Sequence, residues 1–176
     1  MPSALSRIDR DIFSQPGVKY LIVLEGINDV GWPNLEVKAP LRKAHATLRP
    51  FSEQAVTATE LIQALKQIVE RAHTHGLKVF VCTITPYERS GFYSAKGEEI
   101  REAVNKWIRT SATFDGMIDF DFAVRDPDQP RRLLERYQSG DWIHPNKDGY
   151  AVMAEASRAV LTRYVTDGRS RLSSLP

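Results

Sequence analysis

The sequence predicts an α/β fold with a parallel sheet and helices on both faces, and three observations carry that reading. Val18 to Leu24 and Lys78 to Ile84 are nearly continuous apolar runs rich in β-formers, the mark of strands buried on both faces. Between and after them lie segments with apolar residues at helical spacing. Strand and helix signals alternate along the chain, which is the order of βα units.

Residues 3 to 15 place Leu5, Ile8, Ile12 and Phe13 on one helical face, with Ser3 as cap and Gly17 past the end. The first strand then runs into Glu25-Gly26-Ile27-Asn28-Asp29. Trp32 to Phe51, with three prolines, reads as a long irregular loop at that strand's carboxyl end, where binding sites are commonly built. Thr57-Ala58-Thr59-Glu60 is a capping box for a helix with Leu61, Ile62, Leu65, Ile68, Val69 and Ala72 on its inner face and Gly76 as its stop.

The second strand delivers Thr85-Pro86-Tyr87 and a Gly/Ser-rich loop. Glu98 to Thr110 is helical, with Ile100, Val104, Trp107 and Ile108 inward, and Met117 to Phe120 is a short third strand. Pro127 to Tyr137 is a loop with one helical turn, and Asn146 caps a last helix bearing Tyr150, Val152, Met153, Ala156, Val160, Leu161 and Tyr164. The tail, 167–176, is polar and expected to fray. Three strands are few for such a sheet, whose mean is about five or six.

At 176 residues the chain suits one domain, and its 42% apolar and 26% charged residues are those of an ordinary globular protein. The formal charge is +2 with Lys and Arg scattered, which argues against a nucleic-acid partner. No apolar run is long enough for a signal peptide or a membrane span, so no membrane partner is expected. The chain as given reads as cytoplasmic, or as secreted or periplasmic if the true N-terminus lies upstream. Cys82, the single cysteine, sits in an apolar run and reads as a small buried hydrophobe.

The chemistry centres on Asp141-Trp142-Ile143-His144-Pro145-Asn146. A carboxylate three residues before an imidazole can fix its tautomer and stabilise its protonated form, as a general base serving a hydroxyl requires. In a parallel sheet, ligands bind outside the carboxyl ends of the strands, so Asn28 and the Asp141/His144 pair can converge. The Asn28 amide can donate to a developing oxyanion, and Gly26 lets the backbone turn tightly or approach a ligand closely.

Other candidates carry less. His73 and His75 stand at i and i+2 on a helix, do not face each other, and read as solvated surface histidines, so no metal site is expected. Trp32, Tyr87, Phe92 and Tyr93 fall in loops at the carboxyl edge of the sheet, where lining an acyl or alcohol pocket and plain packing are equal readings. Asp29 reads as tying down its loop, and Asp119 and Asp121 as strand-end turn residues. No Gly-rich loop follows any strand, so nucleotide binding is not expected.

Gly26-Ile27-Asn28-Asp29 resembles the Gly-x-Asn-Asp block of the SGNH (GDSL-type) esterases and lipases, and Asp141-Trp142-Ile143-His144 resembles their Asp-x-x-His block. Order and context match as well, over about residues 3 to 165. The resemblance implies a flavodoxin-like three-layer α/β/α fold and hydrolysis of small acyl or aryl esters through an acyl-serine, with no metal or cofactor. It makes His144 the general base, Asp141 its orienter and Asn28 an oxyanion donor.

In that family the serine lies in a Gly-Asp-Ser block, and a second block supplies an oxyanion glycine; both precede Gly-x-Asn-Asp. Only 25 residues precede Gly26 here, and they contain neither block. The chain therefore resembles a partial domain, 1–176, that lacks the first two strands and the usual nucleophile. By placement, Ser139, Ser90 and Ser94 are the substitute hydroxyls to weigh. The alternative is a catalytically silent fragment acting as a scaffold or ligand-binding module. Without those strands the edge at Val18 to Leu24 would lie open, and a homo-oligomer covering it is expected.

Overall fold

Backbone geometry turns the alternating pattern into layers. The computed structural model describes residues 3–31 and 55–173, with side chains as far as residue 166; the predicted loop Trp32 to Phe51 lies outside the described residues. Three strands, β1 (Tyr20–Val23), β2 (Lys78–Cys82) and β3 (Gly116–Ile118), form one parallel sheet in the order β1-β2-β3. Tyr20 pairs with Lys78 and Phe80 with Gly116. The apolar runs extend past the ladder at their carboxyl ends: Ile84 lies beyond β2, and its N–H and C=O are taken by the Asn105 side chain at 2.7 and 2.8 Å.

One face of the sheet carries α1 (Ala4–Ile8), which continues as a π-helical turn (Asp9–Phe13), then α3 (Ala58–Thr74) and α4 (Ala95–Thr110). Val79 and Val81 point to this face and pack with Leu65, Val69, Val104 and Ile108. Burying each such side chain contributes roughly 1.5–3 kcal/mol. Phe80 and Cys82 point to the opposite face, against α5 (Phe120–Val124) and α6 (Lys147–Ser173), where Val124, Leu133 and Met153 complete a second core. Burial pushes the Cys82 thiol up to about 12, in keeping with its expected role as a small hydrophobe.

The predicted punctuation is present. Thr57 Oγ1 accepts from Glu60 N at 3.2 Å while Glu60 Oε2 accepts from Thr57 N at 2.8 Å. Gly76 ends α3 at φ +74°, and Leu77 N reaches back to Ala72 O at 3.0 Å, a Schellman closure. Ser3 caps α1, its Oγ accepting from Ser6 N at 3.3 Å.

Several boundaries differ. α4 starts at Ala95 rather than Glu98, because Ser94 Oγ accepts from Gly97 N and opens the helix a turn earlier. Ile27–Gly31, the stretch into which the first strand runs, is a one-turn helix, α2. The helix expected to end near Tyr164 keeps its backbone turns through Ser173, so much of the polar tail is helical. Tyr150, one of the apolar residues borne by that helix, is exposed.

On β1 the residues facing α1 and α3 are covered, but Tyr20, Ile22 and Leu24 are 46%, 41% and 42% exposed. β1 is an edge strand among the described residues, and α6 covers β2 and β3 rather than β1. A shallow apolar groove of about 280 Å³ runs between α1 and β1. No helix among the described residues is long and apolar enough to cross a membrane.

Candidate active site

The Asp141/His144 pair sits on a short loop clamped at both ends. Gln138 and Pro145 form an antiparallel bridge, Ser139 N donates to His144 O at 3.1 Å, and Asn146 N donates to Tyr137 O at 2.7 Å. Asn146 then caps α6: its Oδ1 accepts from Asp148 N and Gly149 N at 2.9 and 3.1 Å, and its Nδ2 donates back to Arg136 O and Gln138 O. α6 runs against the strand direction, since Tyr164 packs on Phe80 and reaches Asp115 at their amino ends. The loop before α6 therefore stands at the carboxyl ends of the strands, the rim where Asn28 also lies.

Asp141 uses both carboxylate oxygens. Oδ2 lies 2.6 Å from His144 Nδ1, and Oδ1 accepts from His144 N at 2.9 Å, Ile143 N at 3.1 Å and Ser139 Oγ at 3.2 Å. Burial pushes this carboxyl up, but the bonds from His144 and the two amides outweigh it and hold the group well below the usual carboxylate range. An ionised Asp141 only accepts, so the proton between them resides on Nδ1 and Nε2 is left to take one from a hydroxyl. The side chains of Asp141 and His144 are 48% and 69% exposed, so the pair lies open at the surface of the described residues.

Gly26 is shaped by packing. Its φ is +113°, and a Cβ there would stand 2.9 Å from Ile84 Cδ1 and 3.1 Å from a Leu61 methyl. Its carbonyl accepts from Val30 N at 3.0 Å, which starts α2 and presents Asn28 on an exposed face. α2 in turn packs on α4, where a Cβ on Gly97 would fall 2.6 Å from Val30 O. Asn28 is thus carried on a turn that two glycines allow to seat.

The candidate hydroxyls are all engaged elsewhere. Ser139 Oγ donates to the carboxylate end of the pair, Ser94 Oγ caps α4, and buried Ser90 Oγ accepts from Phe92 N at 3.3 Å within its turn. None of the three bonds to the His144 ring. Tyr87 is fully buried in the core against Tyr93, so packing is its role rather than pocket lining; Trp32 lies outside the described residues.

Several residues do more than their spacing suggested. Asp119 and Asp121 form an ion-pair node: Arg109 bonds both, at 2.7 and 2.6 Å, and buried Arg101 joins Asp121 at 2.6 Å and Glu98 at 2.7 Å. The node borders a hollow of about 340 Å³ between α4 and α5 that does not include the Asp141/His144 pair. His73, read as merely solvated, bonds Asp115 at 2.8 Å, and His75 stacks on Phe13. Trp142 and Arg89 have left-handed backbone, at φ +61° and +77°, and are in contact. Apart from the i, i+3 pair Glu98/Arg101, these contacts have no signal in local spacing.

The chain belongs to the GDSL-like lipase/acylhydrolase family, whose model matches residues 2–152. Solved structures share the α/β fold. A protein titled as an acylhydrolase from Bacteroides fragilis aligns with TM-score 0.62 and 16% identity, over 88% of this chain and 66% of that one. A GDSL-like lipase from Bacteroides thetaiotaomicron aligns with TM-score 0.60 and 15% identity over 93% and 69%, and a lipolytic protein of the G-D-S-L family from Desulfitobacterium hafniense with TM-score 0.58 and 22% identity over 88% and 71%. The chain thus spans about two thirds of the length of the solved structures it matches. No curated protein matches it.

Proposed function

We propose that this chain carries the acid-base half of a serine-type carboxylic ester hydrolase acting on small acyl or aryl esters. The observation that carries the reading is Asp141 Oδ2 on His144 Nδ1 at 2.6 Å, with Oδ1 held by two backbone amides. His144 Nε2 takes the proton of an attacking hydroxyl, the hydroxyl oxygen adds to the ester carbonyl, and the protonated imidazole returns that proton to the departing alcohol. Water then releases the acyl group by the same route. Asn28 donates to the oxyanion, and Gly26 permits the turn that presents it.

The nucleophile is the open element. The engaged hydroxyls of Ser139, Ser90 and Ser94 favour a serine brought by another polypeptide, or else the second reading, a catalytically silent scaffold or ligand-binding module. Hydrolysis of a short-chain aryl ester separates these. In the first reading His144→Ala lowers the rate by about 10²–10⁴-fold, and serine-directed labelling with peptide mapping names the nucleophile. Activity unchanged by that substitution removes Asp141 and His144 from the mechanism.

The apolar edge of β1 supports a homo-oligomer in which a second copy covers Tyr20, Ile22 and Leu24. Light scattering is expected to give a mass above one chain, with Ile22→Lys shifting it toward the monomer. A monomeric parent overturns this.

A further inference from the structure

Arg89 and Trp142 are, among the described residues, the two non-glycine residues with left-handed backbone, and they meet each other: the Arg89 guanidinium carbon lies 4.8 Å from the centroid of the Trp142 ring. Guanidinium–aromatic contacts are common on protein surfaces, and one alone carries little. Here both partners occupy positions that suit glycine. Arg89 is the third residue of the turn closed by Ser90 N on Tyr87 O at 3.0 Å, where a positive φ ordinarily selects glycine or asparagine. Trp142 lies directly between Asp141 and Ile143.

That placement ties the strain to the Asp141/His144 pair. A left-handed residue makes successive amides point into one concavity. Trp142 in this conformation brings the N–H groups of Ile143 and His144 onto the same Asp141 oxygen, and so leaves the other oxygen for His144 Nδ1. A relaxed Trp142 would swing both amides away and carry its ring off Arg89. The ring is also 6.0 Å from the guanidinium of Arg132, itself fixed by Asp126 Oδ2 with its Nε and Nη2 at 3.1 Å each. Arg89's own turn is pinned through Glu88 N to Arg131 O at 2.8 Å.

We propose that Arg89 is a positioning residue for the acid-base pair: by stacking on Trp142 it holds that residue in its left-handed conformation and keeps Asp141 aimed at His144. The assignment rests on the reading of Asp141 and His144 as the acid-base pair, but its test does not depend on ester hydrolysis.

The readout is the proton on His144 Nδ1, a downfield NMR resonance of the 176-residue chain assigned by its disappearance in His144→Ala. Arg89→Gly keeps the backbone conformation and removes the guanidinium. It is expected to speed exchange of that proton with water by roughly five- to tenfold, in line with the worth of such a contact, while the thermal midpoint stays level or rises. Trp142→Ala, which keeps the strained backbone but removes the ring, is expected to speed the exchange likewise, and Arg89→Lys to fall between. A proton with parental shift and exchange rate in either folded variant, Arg89→Gly or Trp142→Ala, overturns the proposal. Absence of the resonance in the parent overturns the pair geometry and the proposal together. Loss of ester hydrolysis with the proton shielded as proposed would instead count against the hydrolase reading alone.

Discussion

At the residue scale, conformation rather than side-chain chemistry sets the site. Gly26 combines a left-handed φ with a Cβ position already occupied by Ile84 and Leu61. Gly26→Ala is expected to destabilise the chain by about 2–4 kcal/mol, measured by urea unfolding, and to displace the turn that bears Asn28. The glycine was legible in sequence as a place where backbone must turn; the methyl groups that enforce it come from segments 35 and 58 residues further on and were not. The Asp141/His144 pair was legible because its partners lie within one turn. Trp142 was quoted in the motif, yet its left-handed backbone was not, since tryptophan has no preference for that region. Ser94 was weighed for its hydroxyl, and its true commitment, a helix cap, is visible only once the helix start is known.

At the element scale, α4 connects the halves of the molecule. Asn105 continues the hydrogen bonding of β2 past its last ladder residue, Gly97 seats α2, and Arg101 crosses to Asp121 at the start of α5. Glu98, Arg101 and Asp121 are each about 3% exposed, so removing the central cation leaves buried Glu98 without its ion-pair partner and Asp121 with Arg109 and Arg125 alone. Arg101→Met is expected to cost about 3–5 kcal/mol, read as a lowered denaturant midpoint. The inner face of α4 was legible from its helical period. The Arg101/Asp121 pairing was not, because the period shows which side of a helix is apolar and says nothing of which acid meets a buried arginine.

At the scale of the whole molecule, carboxylates held down by their partners give stability a defined acid limb, and four aspartates show the causes. Asp115, Asp119, Asp126 and Asp141 are all held below the usual range. At Asp119 burial pushes up, but Arg109, the Phe122 amide and Thr83 outweigh it. At Asp126 the Asp128 amide leads, helped by Arg132. A folded-state pKa below the unfolded value means that the unfolded chain takes up protons first as pH falls. This contribution is therefore complete above about pH 5 and is lost as pH drops through about 4 toward the folded values. Urea midpoints measured from pH 7 to pH 3 are expected to stay level at first and then fall; a midpoint that rises on acidification would contradict the assignment.

The one-sided attachment of β1 also has a kinetic meaning. Its ladder to β2 joins residues several dozen positions apart, so closing it carries a cost in chain entropy. With nothing on its outer side among the described residues, β1 and the helix before it form the natural unit of partial opening, released while β2 and β3 stay joined. The amides of Leu21 to Val23 are then the first of the sheet to trade hydrogen for deuterium, and whatever closes on that edge will lengthen their lifetimes before it changes anything else in the sheet.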